Sequence, residues 1–67
     1  MRNEKLYEAR KKHGMTLEEV GLMIGVGKST IRRWEEGKMF PSIVNAIKLC
    51  NALNLNVYDV WNEISKN

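Results

Sequence analysis

The sequence predicts an all-α fold on three observations: apolar residues recur at helical spacing, glycines divide the periodic segments, and no stretch shows the alternation of a half-buried strand. Its 67 residues, 43% apolar and 28% charged, suit one folded domain over residues 1–67 and not a disordered tail. A chain of this length buries only about 60% of the surface it exposes when unfolded, which leaves little volume for a large enzyme pocket.

The first helix is expected from about Asn3 to His13, with Leu6, Ala9, Arg10 and His13 on its inner side, and it stops at Gly14. Thr16 and Glu19 form a capping box that starts the second helix, whose stripe of Leu17, Val20, Gly21 and Ile24 runs to Gly25. Only Val26 and Gly27 precede a third helix, about Lys28 to Glu36, which ends at Gly37. Its faces separate at 3.6 residues per turn. Thr30, Ile31 and Trp34 turn inward, and Lys28, Ser29, Arg32 and Arg33 turn outward, with Glu36 among them and Glu35 at the edge of the apolar stripe. Pro41 and Ser42 open a fourth helix with a broad apolar face of Ile43, Ala46, Ile47, Leu49, Cys50 and Leu53, and Asn54 caps its end. Asn56, with Asp59 three residues on, starts a short fifth helix that buries Val57, Val60, Trp61 and Ile64.

Eleven Lys and Arg against eight Asp and Glu give a net charge of +3. The excess is confined to residues 1–38, which hold nine basic and six acidic side chains, whereas residues 39–67 hold two of each. A basic bias placed on one region suits a polyanion, although a solvated helical face gives the same count. The single cysteine, Cys50, has neither a disulfide partner nor neighbours of zinc-ligand type, which points to a reducing cytoplasm and to no metal. No apolar run approaches the roughly 18 residues of a membrane span, so no membrane role is expected. Gly25 to Thr30 resembles the second half of a phosphate-binding loop, but that loop needs a glycine where Leu22 stands and a strand before it. His13 has no Ser, Cys or carboxylate partner suggesting catalysis and is expected to be a cationic residue at the end of its helix. No enzyme, cofactor or small-molecule ligand is therefore expected.

Two short helices joined through Gly25-Val26-Gly27 carry the signature of a helix-turn-helix, in which the second helix enters the DNA major groove. Around them stand Arg10, Gly14, Thr16, Glu18-Glu19-Val20, Ser29-Thr30-Ile31, Trp34-Glu35, Gly37-Lys38, Pro41-Ser42 and Ala52-Leu53-Asn54-Leu55. Through these residues the stretch from Leu6 to Trp61 resembles the domain of phage Cro and repressor proteins, the XRE family. The resemblance implies a compact five-helix, lambda-repressor-like domain with Lys28 to Glu36 as its recognition helix. Arg32, Arg33, Lys28 and Ser29 are then the base-contacting residues, the arginines as bidentate donors to guanine O6 and N7. Thr16, Leu17, Lys38 and Ser42, with backbone N–H groups at the start of the second helix, are the phosphate-contacting set. Arg10 and Glu35 are implied to pair and to hold the recognition helix in place.

Several positions depart from that family's pattern. Leu17 stands where the family usually has Gln, so its side chain covers apolar surface or meets a thymine methyl. Glu36 adds an anion that pairs with Arg32 or accepts from cytosine N4. Gly21 replaces the usual Ala and permits a close helix approach.

The function expected is a sequence-specific, double-stranded-DNA-binding transcriptional regulator. The resemblance implies a small dimeric repressor of phage or mobile-element type on a palindromic operator. Homodimerisation is expected through Tyr58, Trp61 and Ile64, with Met39 or Phe40 contributing, although Trp61 at helical spacing from Val57 reads first as core. The alternative is a protein-interaction module on the same fold, antitoxin-like or accessory, docking through Leu17, Leu22 and Met23.

Overall fold

In the computed structural model, residues 2–61 are described and hold five helices: α1 (Glu4–Lys12), α2 (Leu17–Ile24), α3 (Lys28–Glu36), α4 (Ile43–Leu53) and α5 (Val57–Val60). No strand occurs among the described residues. α2 packs on α3 and α4, α1 packs on α3 and α5, and α4 meets α5. Between them lies one core of Leu6, Ala9, Val20, Ile24, Ile31, Trp34, Ala46, Leu49, Cys50, Leu53, Val60 and Trp61. Burial pushes the Cys50 thiol up, so this side chain stays protonated at neutral pH and behaves as a small apolar core residue.

Side chains cap four of the five helix starts. Asn3 Oδ1 accepts from the N–H of Leu6, Thr16 and Glu19 form the reciprocal capping box, and Ser42 Oγ accepts from the N–H of Asn45. Asn56 Oδ1 accepts from Tyr58 N–H at 2.8 Å, so α5 begins on a single cap with no reciprocal bond from Asp59. α3 starts at Gly27, which offers no side chain for this purpose.

The turn between α2 and α3 sets the angle of α3. Gly25 closes α2 at φ 91°, a left-handed conformation that a Cβ disfavours, and both Gly25 and Val26 donate to the carbonyl of Gly21, at 2.8 and 2.9 Å. The turn therefore folds directly over Gly21. A Cβ on that residue would lie 2.5 Å from the carbonyl oxygen of Val26. The close approach expected at Gly21 is thus to the backbone of the turn, not to another helix.

Three placements differ from the sequence reading. Ile43 and Ile47 are exposed: the buried stripe of α4 is only as wide as Ala46, Leu49, Cys50 and Leu53, Ile47 lies one residue around from it, and Ile43 sits on the first turn. His13 is also exposed, because it follows the last residue of α1 as its cap. Its Nε2 reaches the carbonyl oxygen of Leu53 at 3.1 Å and ties α1 to the end of α4. Trp61 is fully buried and caps α5, which ends at Val60. It is a core residue and supplies no surface for self-association. Of the other two residues expected there, Tyr58 is exposed and Ile64 lies outside the described residues.

Candidate nucleic-acid interface

α3 is a two-faced helix. Ile31, Trp34 and Glu35 are buried, while Lys28, Ser29, Arg32 and Arg33 are exposed within an arc of about 140° at 100° per residue. Thr30 lies between the two faces and is half-buried. Among the described residues neither Lys28, Arg32 nor Arg33 takes part in an ion pair, so three cationic tips project together from a helix about 13 Å long. Glu36 faces the same side but does not pair with Arg32. Its Oε1 lies 3.5 Å from Lys38 Nζ, where Gly37 has reversed the chain and brought Lys38 back beside the helix end.

A buried clamp holds the inner face of α3. Arg10 Nε and Nη2 donate to the two Glu35 carboxylate oxygens at 2.6 and 3.1 Å, and Nη1 donates to the Met15 carbonyl at 2.8 Å. One guanidinium thus joins α1, α3 and the strand of chain that leads into α2. The fork geometry satisfies both carboxylate oxygens, which is what lets the charges be buried.

Of the residues expected near phosphates, Thr16, Lys38 and Ser42 are exposed and Leu17 is not. Thr16 is exposed at the start of α2, its hydroxyl oxygen accepting from Glu19 N–H and its own N–H donating to the Glu19 carboxylate. Leu17 is half-buried against the core, so its side chain covers apolar surface. Ser42 is exposed as the cap of α4, and Lys38 is exposed on the loop before it. Arg10, Lys11, Gly14, Met15, Thr16 and Leu17 line a shallow depression beside the α2 start.

One residue of this assembly was not singled out from the sequence. Asn3 donates its backbone N–H to the Glu35 carbonyl at 2.6 Å and its Nδ2 to the Val60 carbonyl at 3.1 Å while capping α1. It ties the end of α3 to α5. The available signal was an Asn just before an amphipathic run, which announces the cap but not the two long-range bonds.

No helix among the described residues is long and apolar enough to cross a membrane. A family model described as helix-turn-helix matches residues 6–60. Similar curated proteins include an uncharacterized HTH-type transcriptional regulator YgzD of Bacillus subtilis, 34% identical over 57 residues that cover 85% of this chain and 86% of the relative. An uncharacterized HTH-type transcriptional regulator of Archaeoglobus fulgidus is 37% identical over 57 residues, 85% of this chain and 81% of its own. A second regulator so described from the same archaeon is 35% identical, covering 85% and 80%. The matched span runs from the first core residue of α1 to the last residue of α5, and the chain belongs to the XRE-type helix-turn-helix family.

Proposed function

We propose that this chain, as one Cro/repressor-type domain over residues 1–67, is a sequence-specific transcriptional regulator that reads double-stranded DNA through the outer face of α3. The observation that carries the reading is the exposed cluster of Lys28, Arg32 and Arg33 on a helix whose opposite face is clamped into the core. Arg33 and Arg32 donate to guanine O6 and N7, Lys28 reaches the same atoms, and Ser29 takes either partner or a thymine methyl. Thr16, the free N–H of Leu17, Lys38 and Ser42 meet phosphates and fix the register. Its class of relatives, HTH-type transcriptional regulators, supports a binding role without catalysis.

The regulator acts as a symmetric dimer on a palindromic operator and represses by occupying it. Selection of bound duplexes from a random pool tests this. The expected product is a site with two inverted half-sites about 34 Å apart, with log affinity falling linearly with log salt. Recovery of no preferred sequence contradicts the reading. A protein-docking role for α2 has one observation in its favour, the exposure of Leu22 and Met23. Changing both to Glu should then abolish partner capture and leave operator binding intact.

A further inference from the structure

Three helix ends meet at Asn3. Its Oδ1 caps the start of α1 by accepting from Leu6 N–H at 3.1 Å. Its backbone N–H donates at 2.6 Å to the carbonyl of Glu35, in the last turn of α3, and its Nδ2 donates at 3.1 Å to the carbonyl of Val60, the last residue of α5. Its own carbonyl accepts from Tyr7 N–H, so N–H, C=O, Oδ1 and Nδ2 are all bonded. The last four carbonyls of a helix have no partner within it. In α3 the turn at Gly37 serves two of them, Trp34 from Gly37 N–H and Arg33 from Lys38 N–H, whereas Glu35 is served from ahead of α1.

The two ends of α3 are therefore held differently. Its start at Gly27 has no side-chain cap, and the bonds from Thr30 and Ile31 N–H to the Gly27 carbonyl stay within that turn. Its end is closed from outside, by a residue that side-chain bonds fix on α1 and α5. Glu35 is gripped there twice, its carboxylate by Arg10 and its carbonyl by Asn3. The Tyr7 ring lies 4.1 Å from the Arg2 guanidinium and 5.5 Å from that of Arg10, so the segment carrying Asn3 is itself laid against the clamp. Arg32 and Arg33 stand within one turn of Glu35, and Lys28 and Ser29 stand nearly two turns away.

We propose that Asn3 is a positioning residue for sequence readout: as a cap supplied from outside the helix, its N–H fixes the end of α3 and with it the placement of Arg32 and Arg33 on their base pairs. The inference rests on the DNA-binding reading above for what those arginines touch. A bidentate pair needs two N–H groups aligned with O6 and N7 at once. A loosened last turn therefore lowers discrimination before it lowers attraction to phosphates, which depends on charge and little on angle.

A duplex panel and amide exchange, both on the intact chain, test the proposal. Asn3→Pro removes the N–H, and the φ of −81° at this position is close to the proline value; Asn3→Ala keeps the N–H and loses the same side-chain bonds. The difference between the two isolates the bond to Glu35. On duplexes carrying every single-base change in the selected site, Asn3→Pro should lose at least about fivefold more discrimination than Asn3→Ala at the base pairs where Arg32→Ala and Arg33→Ala lose theirs. At the other base pairs, and in salt dependence, the two variants should agree. A merely structural role lowers the folded fraction and weakens every duplex by one factor, so equal base preference in the two variants overturns the proposal.

Without DNA, the Gly37 and Lys38 amides should exchange at least about fivefold faster in Asn3→Pro than in Asn3→Ala, and equal rates overturn the proposal. The wild-type chain supplies a measurement that needs no variant to fold. An N-cap amide has no partner within its own helix, yet the Asn3 amide should exchange at least about tenfold slower than a free peptide amide. Exchange at the free-peptide rate overturns the proposal outright. A wild-type chain with no preference among duplexes sinks the regulator reading instead and leaves the exchange result standing.

Discussion

Glu35 and Glu36 are adjacent in sequence and each meets one basic side chain, yet they belong to different regions of the molecule. Glu35 turns inward and accepts two bonds from Arg10, with side chains only 9% (Arg10) and 6% (Glu35) exposed. Glu36 turns outward to Lys38, with exposures of 73% for Lys38 and 40% for Glu36. A buried pair whose partner is removed leaves a charge that water cannot reach, whereas an exposed pair exchanges its partner for solvent at almost no cost. The inner region of α3 is therefore fixed and aims the helix. The outer region stays adjustable, and Lys38 can leave Glu36 for solvent or another anion without loss of stability.

The strongest way to break this contrast is Arg10→Ala, which should destabilise the fold by about 3–5 kcal/mol, read from the midpoint of urea unfolding. In a domain of this size that is most or all of the net stability. Arg10→Met with Glu35→Leu should recover most of the loss, because apolar residues of similar volume replace the pair without stranding either charge. A double variant no more stable than the single one would mean that the clamp acts through something other than its charges. Gly21→Val comes next. Its Cβ would meet the Val26 carbonyl oxygen at 2.5 Å and force the turn open, at about 1–3 kcal/mol, with a lower thermal midpoint as the readout. The smallest effect belongs to the outer pair. Lys38→Ala should change stability by no more than about 0.5 kcal/mol in the same urea assay.

Much of this architecture was legible in the sequence because it is written in local signals. Thr16 with Glu19, Ser42, Asn54 and the glycines after the first three helices mark ends through bonds made within a few residues. The split of α3 into two faces follows from helical periodicity alone, and it places Arg32 and Arg33 opposite Ile31 and Trp34. What periodicity does not carry is the width of the core. Ile43 and Ile47 fit an apolar stripe in sequence, but the core covers only the face of Ala46, Leu49, Cys50 and Leu53, which leaves Ile47 around from it and Ile43 on the open first turn. Long-range bonds were equally silent: Asn3 with the Glu35 and Val60 carbonyls, and His13 with Leu53. Each joins residues whose proximity is created only by packing.

The division between a side chain that reads and one that holds is tested most directly by binding Arg33→Ala and Lys38→Ala to a panel of duplexes carrying every single-base change in the selected site. Arg33→Ala should lose about 1–3 kcal/mol of discrimination at one base pair and bind variants at that position alike. Lys38→Ala should weaken all duplexes equally and make the salt dependence shallower by about one unit of slope. Uniform weakening by both substitutions, with base preference retained at every position in Arg33→Ala, would contradict the assignment of the outer face of α3 to sequence readout.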